Sequence, residues 1–288
     1  MPDLHHRPLA APAARAGTLA VIGRLAVRSL YREVALAPKP GLVSPNDPGS
    51  HADMDFRTFL RSLQALRPYF PLIAAAGAER AGFAALQRLG IAAEADMLTA
   101  TGGINTHRGA IFNLGLLCAA AGLLAAAGKP LDAGDACRAV AIFWGDPILS
   151  GLERDGDSHG LAVARRYGSG GARREAAEGF PAARRIGLPA YRTALDLTGD
   201  TDRAAIQALF ALMAEVEDTN LLWRGGPAGL TAAREAARGF LAAGGVAAAD
   251  WRPRAEAIHR DFVAARLSPG GSADLLGVTL FLDGLERL

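Results

Sequence analysis

The chain is short of the features that would place it at a glance. It has 2 cysteines in 288 residues. Cys118 and Cys137 lack the spacing of a zinc site or a disulfide framework, so they read as core or near-surface thiols of a cytoplasmic protein. Aromatic residues make up only 6%, and no stretch alternates apolar and polar residues or places Asn-Gly or Asp-Gly between β-branched runs. A sheet-built fold is thereby excluded. An excess of one charge is also lacking: 31 Lys+Arg face 29 Asp+Glu, a formal net charge of +2, too little for a nonspecific nucleic-acid binder. The opening "MPDLHHRPLAAPAARAG" has no compact apolar run, so residues 1–16 read as a disordered leader and not as a secretory signal. The apolar run from Ile111 to Ala127 contains Asn113, glycines and weakly hydrophobic alanines, and falls short of the ~20 apolar residues of a membrane span. It reads as a buried helix, and no membrane partner is expected. Neither an internal repeat nor a sustained heptad is present.

What is there is alanine-rich helical periodicity. Hydrophobic residues are 50% of the chain, and 288 residues suffice to bury a core without staples. Residues 17–288 are predicted to form a single all-α, compact multi-helix domain, with glycine-rich loops at helix N-termini lining one pocket. Over 18–36, Leu19, Ile22, Leu25, Ala26, Leu30 and Val34 share a face until "PKPG" stops the pattern. A loop from Pro38 to about Ala52 leads to a helix for which Asp53 is the expected N-cap. Further helices are predicted near 71–89, 108–127, 132–144, 181–197, 201–217, 229–243, 251–266 and 272–286. Residues 145–171 read as loops around a short helix.

Polar residues cluster where these helices begin. In "GGINTHRGAIFNLG", Asn105 or Thr106 is placed to cap a helix starting near His107. Gly102 and Gly103 allow a bend that aims free amides at one point, a natural anion site. Arg108 adds a donor fork, and His107 a hydrogen bond or a proton. In "LSPGGSADLLG", Ser272 is the expected cap, Gly270 and Gly271 a possible anion nest, and Asp274 a first-turn carboxylate. "EVEDTNLLWRGG" sets Glu217, Asp218 and Asn220 before Arg224, either a hard-cation site of Mg²⁺ type or a solvated helix end with a glycine cap. "KPGLVSPNDPGSHADMD" contributes Lys39, His51, Asp53 and Asp55. His159, Glu175 and Glu178 follow in "SHG" and "REAAEGFP".

Together, "EVALAPKPGLV", "GSHADMDFRTFLRSLQALRPYF", "GGINTHRGAIFNLGLL", "REAAEGFP", "EDTNLLWRGG" and "SPGGSADLLG" resemble, in order, the triphosphoribosyl-dephospho-CoA synthase family. These enzymes make the prosthetic-group precursor of citrate lyase and malonate decarboxylase. The chain departs from the family pattern at Ser44, Arg108, Arg174 and Trp223. The loop "SPNDPGSHADMD" and the unfused chain look closer to the malonate decarboxylase branch.

The resemblance implies a pentosyl transfer. ATP loses adenine, and the 2′-hydroxyl of 3′-dephospho-CoA takes C1 of the ribose with its triphosphate. The nucleotide would be held by Lys39, Gly103, Asn105, Thr106, His107, Arg108, Asn220, Arg224, Gly271 and Ser272. Mg²⁺ would sit on carboxylates drawn from Asp53, Glu217, Asp218 and Asp274. Asp55, Glu175 and His51 are candidates for acid-base work around an oxocarbenium-like centre. An acyl carrier protein system is the implied downstream partner, and a homodimer is left open. Two other readings are a Mg²⁺-dependent nucleotide or ADP-ribose hydrolase and a non-catalytic carrier of the CoA-derived group.

Overall fold

The computed structural model describes residues 12–151 and 170–288, together with Val163, Arg166 and Tyr167. Residues 1–11 of the expected leader and His159 lie outside the described residues, while Pro12 to Ala16 belong to the first helix. Among the described residues every regular element is helical, as the scarcity of strand-forming patterns requires. The helices are α1 Pro12–Ala35, α2 Phe56–Leu66, α3 Tyr69–Ala78, α4 Phe83–Thr101, α5 Arg108–Ala126 and α6 Ala133–Ser150. They continue with α7 Gly171–Ala177, α8 Leu188–Thr198, α9 Thr201–Glu215, α10 Thr219–Ala242, α11 Trp251–Ala264 and α12 Gly270–Leu285. A π-helical turn, Ala183–Gly187, runs into α8.

The apolar run noted in the sequence is α5. It is long and apolar enough to cross a membrane, but α1, α3, α4, α6 and α12 pack around it, and Leu114, Leu117, Cys118 and Ala121 are fully buried. Small residues allow the closest crossing. A Cβ on Gly77 would run into the Ala119 carbonyl, and one on Gly122 into the Ala74 carbonyl, so the α3 and α5 backbones nearly touch. Both cysteines are buried and unpaired, and burial pushes the Cys137 thiol up to about 12.

Several expected boundaries move. The helix expected over 71–89 is two helices, broken where Arg80 takes a positive φ of 57° and Gly82 restarts the chain, and α4 then runs on to Thr101. Its end is Gly102 in the left-handed conformation, with the Gly103 amide bonded to the Leu98 carbonyl at 2.7 Å. The Gly102-Gly103 pair therefore closes α4, a glycine C-cap, instead of aiming free amides at a ligand. Asp53 is not the cap of α2: that role belongs to Asp55, whose Oδ1 accepts from the Thr58 amide at 2.8 Å in a capping box. α6 continues through Pro147 to Ser150. α10 starts at Thr219, ten residues ahead of the expected helix at 229, because Asp218 caps it. It is kinked at Gly226, whose φ of 61° lies before Pro227. α12 begins at Gly270, so Ser272 lies within its first turn and is not its cap.

Candidate active site

The N-termini of α5, α10 and α12 converge with the C-termini of α1 and α9 on one cavity of about 1220 Å³. Lys39, His51, Asn105, Thr106, His107, Arg108, Glu175, Glu217, Asp218, Asn220, Arg224, Gly271 and Asp274 all line it. Segments separated by more than 200 residues are thus brought to one place. Asp53, Asp55, Gly103 and Ser272 are absent from its wall. Asp55 is an exposed helix cap whose hydrogen bonds to Thr58 lower its pKa. Asp53 is exposed, 3.8 Å from His51 Nδ1. Gly103 belongs to the end of α4, and Ser272 lies behind the wall, fully buried.

The floor is a set of charges in a dry setting. Lys39 is 2% exposed, and its ammonium donates to the Glu33 carboxylate and the Glu33 carbonyl, each at 2.6 Å. Glu33 comes from the last turns of α1, where the inward apolar stripe gave no sign of it. Burial pulls the Lys39 pKa down and Glu33 partly restores it. The pair is close to neutral as a unit, which limits what Lys39 alone offers to a phosphate.

Asp218 ties two helix starts together. Its Oδ1 accepts from the amides of Asn220 at 2.9 Å, Leu221 at 3.3 Å and Gly271 at 3.3 Å, while Oδ2 accepts from the Ser272 amide at 2.7 Å and hydroxyl at 2.9 Å. A protein carboxylate thus already takes the amides of Gly271 and Ser272, at the turn where Gly270 and Gly271 were expected to form an anion nest. Asp274 differs. No hydrogen-bond donor among the described residues meets its carboxylate, which packs so closely on Gly109 at the start of α5 that a Cβ there would collide with it. Burial, then the like charges of Glu33 and Asp218, hold the Asp274 carboxyl well above the usual range.

On the α7 side of the cavity, Glu175 Oε1 accepts from the amides of Ala182 at 2.7 Å and Ala183 at 3.3 Å, and burial raises its pKa despite those bonds. The cations there, Arg173, Arg174 and Arg185, pair with no carboxylate among the described residues, and none was singled out as a ligand-binding residue in the sequence. Their signal, if any, was the arginine density of "GARREAAEGFPAARRIG". The expected Arg108 fork is engaged by Glu94, with Nε donating at 2.6 Å. Arg224 donates to the Ser50 carbonyl at 3.1 Å and lies 3.1 Å from His51 Nδ1, while His51 Nε2 meets Ser268 Oγ at 3.0 Å. Burial and the neighbouring Arg224 charge bring His51 down to about 4.

His107 is the most enclosed polar group of the α5 start. Ser62 Oγ lies 2.6 Å from its Nδ1, and Phe59 stands edge-on with ring centroids 4.9 Å apart. Burial and the Lys39 charge lower it to about 3. Helix entrances carrying glycine and acid, cations along one wall and an apolar flank between α3, α4 and α5 make a cavity suited to large phosphorylated ligands.

Known proteins agree with this picture. The chain is 46% identical over 263 residues to a probable 2-(5′′-triphosphoribosyl)-3′-dephosphocoenzyme-A synthase of Acinetobacter calcoaceticus, covering 91% of this chain and 90% of that protein. It is 42% identical over 265 residues to the synthase of Klebsiella pneumoniae, covering 89% and 88% of the two chains. To the probable synthase of Pseudomonas paraeruginosa it is 44% identical over 268 residues, covering 91% and 89%. No solved structure matches the chain significantly. Residues 19–288 match the family described as ATP:dephospho-CoA triphosphoribosyl transferase, and the chain belongs to that family of transferases.

Proposed function

We propose that this chain transfers the triphosphoribosyl group of ATP from adenine to the 2′-hydroxyl of 3′-dephospho-CoA. The observation that carries the reading is the single cavity of about 1220 Å³. It exceeds the ~300–1,000 Å³ typical of one drug-sized ligand, and so has room for two nucleotide substrates side by side. The bond from C1 of the ribose to adenine breaks, a bond from C1 to the acceptor oxygen forms, and the hydroxyl proton is balanced by one gained by adenine. Arg173, Arg174 and Arg185 supply positive charge for the triphosphate, with bidentate geometry suited to phosphate oxygens.

Among the carboxylates first singled out for acid-base work, Glu175 has the best position. It lines the cavity, only its Oε1 is engaged by amides, and burial raises its pKa, the direction that favours holding a proton for transfer. Both ring nitrogens of His51 meet neighbours, and Asp55 lies outside the wall.

Among the described residues no three His, Cys, Asp or Glu side chains gather into a cation cage. The donor set nonetheless fits Mg²⁺, which commonly takes one or two carboxylates and completes its shell with phosphate oxygens and water. Asp274, half-buried beside two like charges and meeting no hydrogen-bond donor among the described residues, is the favoured ligand, with exposed Glu217 at the wall a second. Bound there, the cation would neutralise triphosphate charge. Asp218, with both oxygens engaged, acts as a staple.

The product is proposed as the prosthetic-group precursor for an acyl carrier protein in the cytoplasm. The malonate decarboxylase system is preferred over citrate lyase for the loop "SPNDPGSHADMD". Incubation with ATP and dephospho-CoA tests the reaction: adenine release that requires both substrates supports it. Adenine release from ATP alone would favour a hydrolase, and binding without release a carrier.

A further inference from the structure

Among the described residues, three side-chain atoms in the cavity wall lack a partner although protein encloses them: Thr106 Oγ1, His107 Nε2 and Asn113 Oδ1. His107 is 3% exposed and Asn113 1%. An unpaired buried polar atom is destabilising because it loses its water without gaining a partner, so native structures keep few of them and each calls for a reason. A shared lining points to a ligand as that reason.

The chemistry of this wall is uncharged. With its pKa brought down to about 3, the imidazole is neutral near pH 7, and its neighbour Lys39 is already held by Glu33. A neutral ring makes a poor counter-ion for phosphate, but its Nε2 gives one directed hydrogen bond. The Asn113 carboxamide carries both a donor and an acceptor. Phe59, Ile111, Phe112 and Leu116 add apolar surface to the same stretch of wall. A flat ligand with ring nitrogens and an exocyclic amine matches this set, as the pairing of asparagine with adenine in nucleic-acid recognition illustrates.

We propose that His107 and Asn113 form a subsite for a 6-aminopurine base, with Ser62 a positioning residue that fixes the His107 ring so that Nε2 faces the base. The assignment rests on the transfer reaction proposed above, in which both substrates carry this base. It moves His107 from the anion-binding role expected of a helix start to base recognition.

Calorimetric titration of the full chain with ATP, inosine triphosphate, dephospho-CoA and inorganic tripolyphosphate in the presence of Mg²⁺ tests it. The wild type should prefer ATP over inosine triphosphate by about tenfold or more, and Asn113→Leu should erase that preference. Ser62→Ala should weaken ATP and Ser62→Thr should restore it, while tripolyphosphate changes by less than about twofold throughout. A loss confined to dephospho-CoA supports the same subsite holding the acceptor's base. Asn113→Ala, which removes the amide without adding bulk, is titrated in parallel in case leucine prevents folding. Unchanged binding of both nucleotides in the Asn113 variants overturns the subsite, as does an equal loss of tripolyphosphate. Adenine release by the wild type is measured alongside. Its absence counts against the reaction, whereas its presence with unaltered nucleotide binding in the variants counts against the subsite alone.

Discussion

Replacing Asp218 with alanine should unfasten two helices at once. Its oxygens accept five hydrogen bonds, from Asn220, Leu221, Gly271 and both the amide and hydroxyl of Ser272. Losing an N-cap costs about 1 kcal/mol, so the starts of α10 and α12 together account for about 2 kcal/mol. Asp218 is 1% exposed, and donors that water from the cavity does not reach add about 1–3 kcal/mol. The sum, about 3–5 kcal/mol, is a large part of the ~5–15 kcal/mol that holds a typical domain folded. At roughly 2 °C per kcal/mol for a chain of this size, the melting midpoint should fall by about 6–10 °C. Asp218→Asn should lose about half as much. An amide turned toward Ser272 can be accepted by the rotating hydroxyl but opposes the fixed Ser272 N–H, whereas Oδ1 still serves the other three amides. Circular dichroism melts read the effect directly. If the alanine variant melts within about 1 °C of wild type while product formation disappears, the carboxylate is a ligand group and the staple reasoning is wrong.

Other outcomes follow from the same geometry. Gly109→Ala should push the Asp274 carboxylate aside. Product formation should drop about tenfold or more while the melting midpoint changes little, as expected for a misplaced site group; an unaffected rate would detach Asp274 from the reaction. Removing divalent cations with a chelator should raise the KM for ATP, and Asp274→Asn should blunt the response to added Mg²⁺. Glu175→Gln should lower kcat by about 10²–10⁴ with little change in either KM. For pH, His107 and His51 stand at about 3 and about 4 in the folded chain against 6.5 unfolded. A base with a depressed folded pKa binds fewer protons than the unfolded chain, so its stabilising effect is complete above pH 6.5 and is lost as pH falls toward those values. Unfolding free energies from urea titrations should decline across that window by up to ~1.4 kcal/mol per pH unit for buried His107. His107→Gln should flatten the decline, and an unchanged slope would contradict the assignment.

The helical class was legible because one physical signal, the 3.6-residue recurrence of apolar positions, repeats along the chain and no period-2 pattern competes with it. Boundaries were less legible where side chains compete for the same job. Asp53 and Asp55 are equally good caps by type. Only the position of Thr58, able to return a hydrogen bond from the third helical position, favours Asp55. Helix entrances also read ambiguously, since an amide set that invites an anion invites a protein carboxylate equally. At α12 the carboxylate of Asp218 answered the invitation from 54 residues away, a separation no local pattern encodes. Glu33, Ser62 and Asn113 escaped for a related reason. Each sits on the inward face of a helix among apolar neighbours, where periodicity assigns positions to the core without saying which of them border empty space. A polar residue on such a face must be satisfied by the fold or by what the fold binds. Glu33 has Lys39 and Ser62 has His107, whereas Asn113 Oδ1 has no partner among the described residues. Once a tertiary structure separates those two cases, that difference distinguishes a binding position from a packing one.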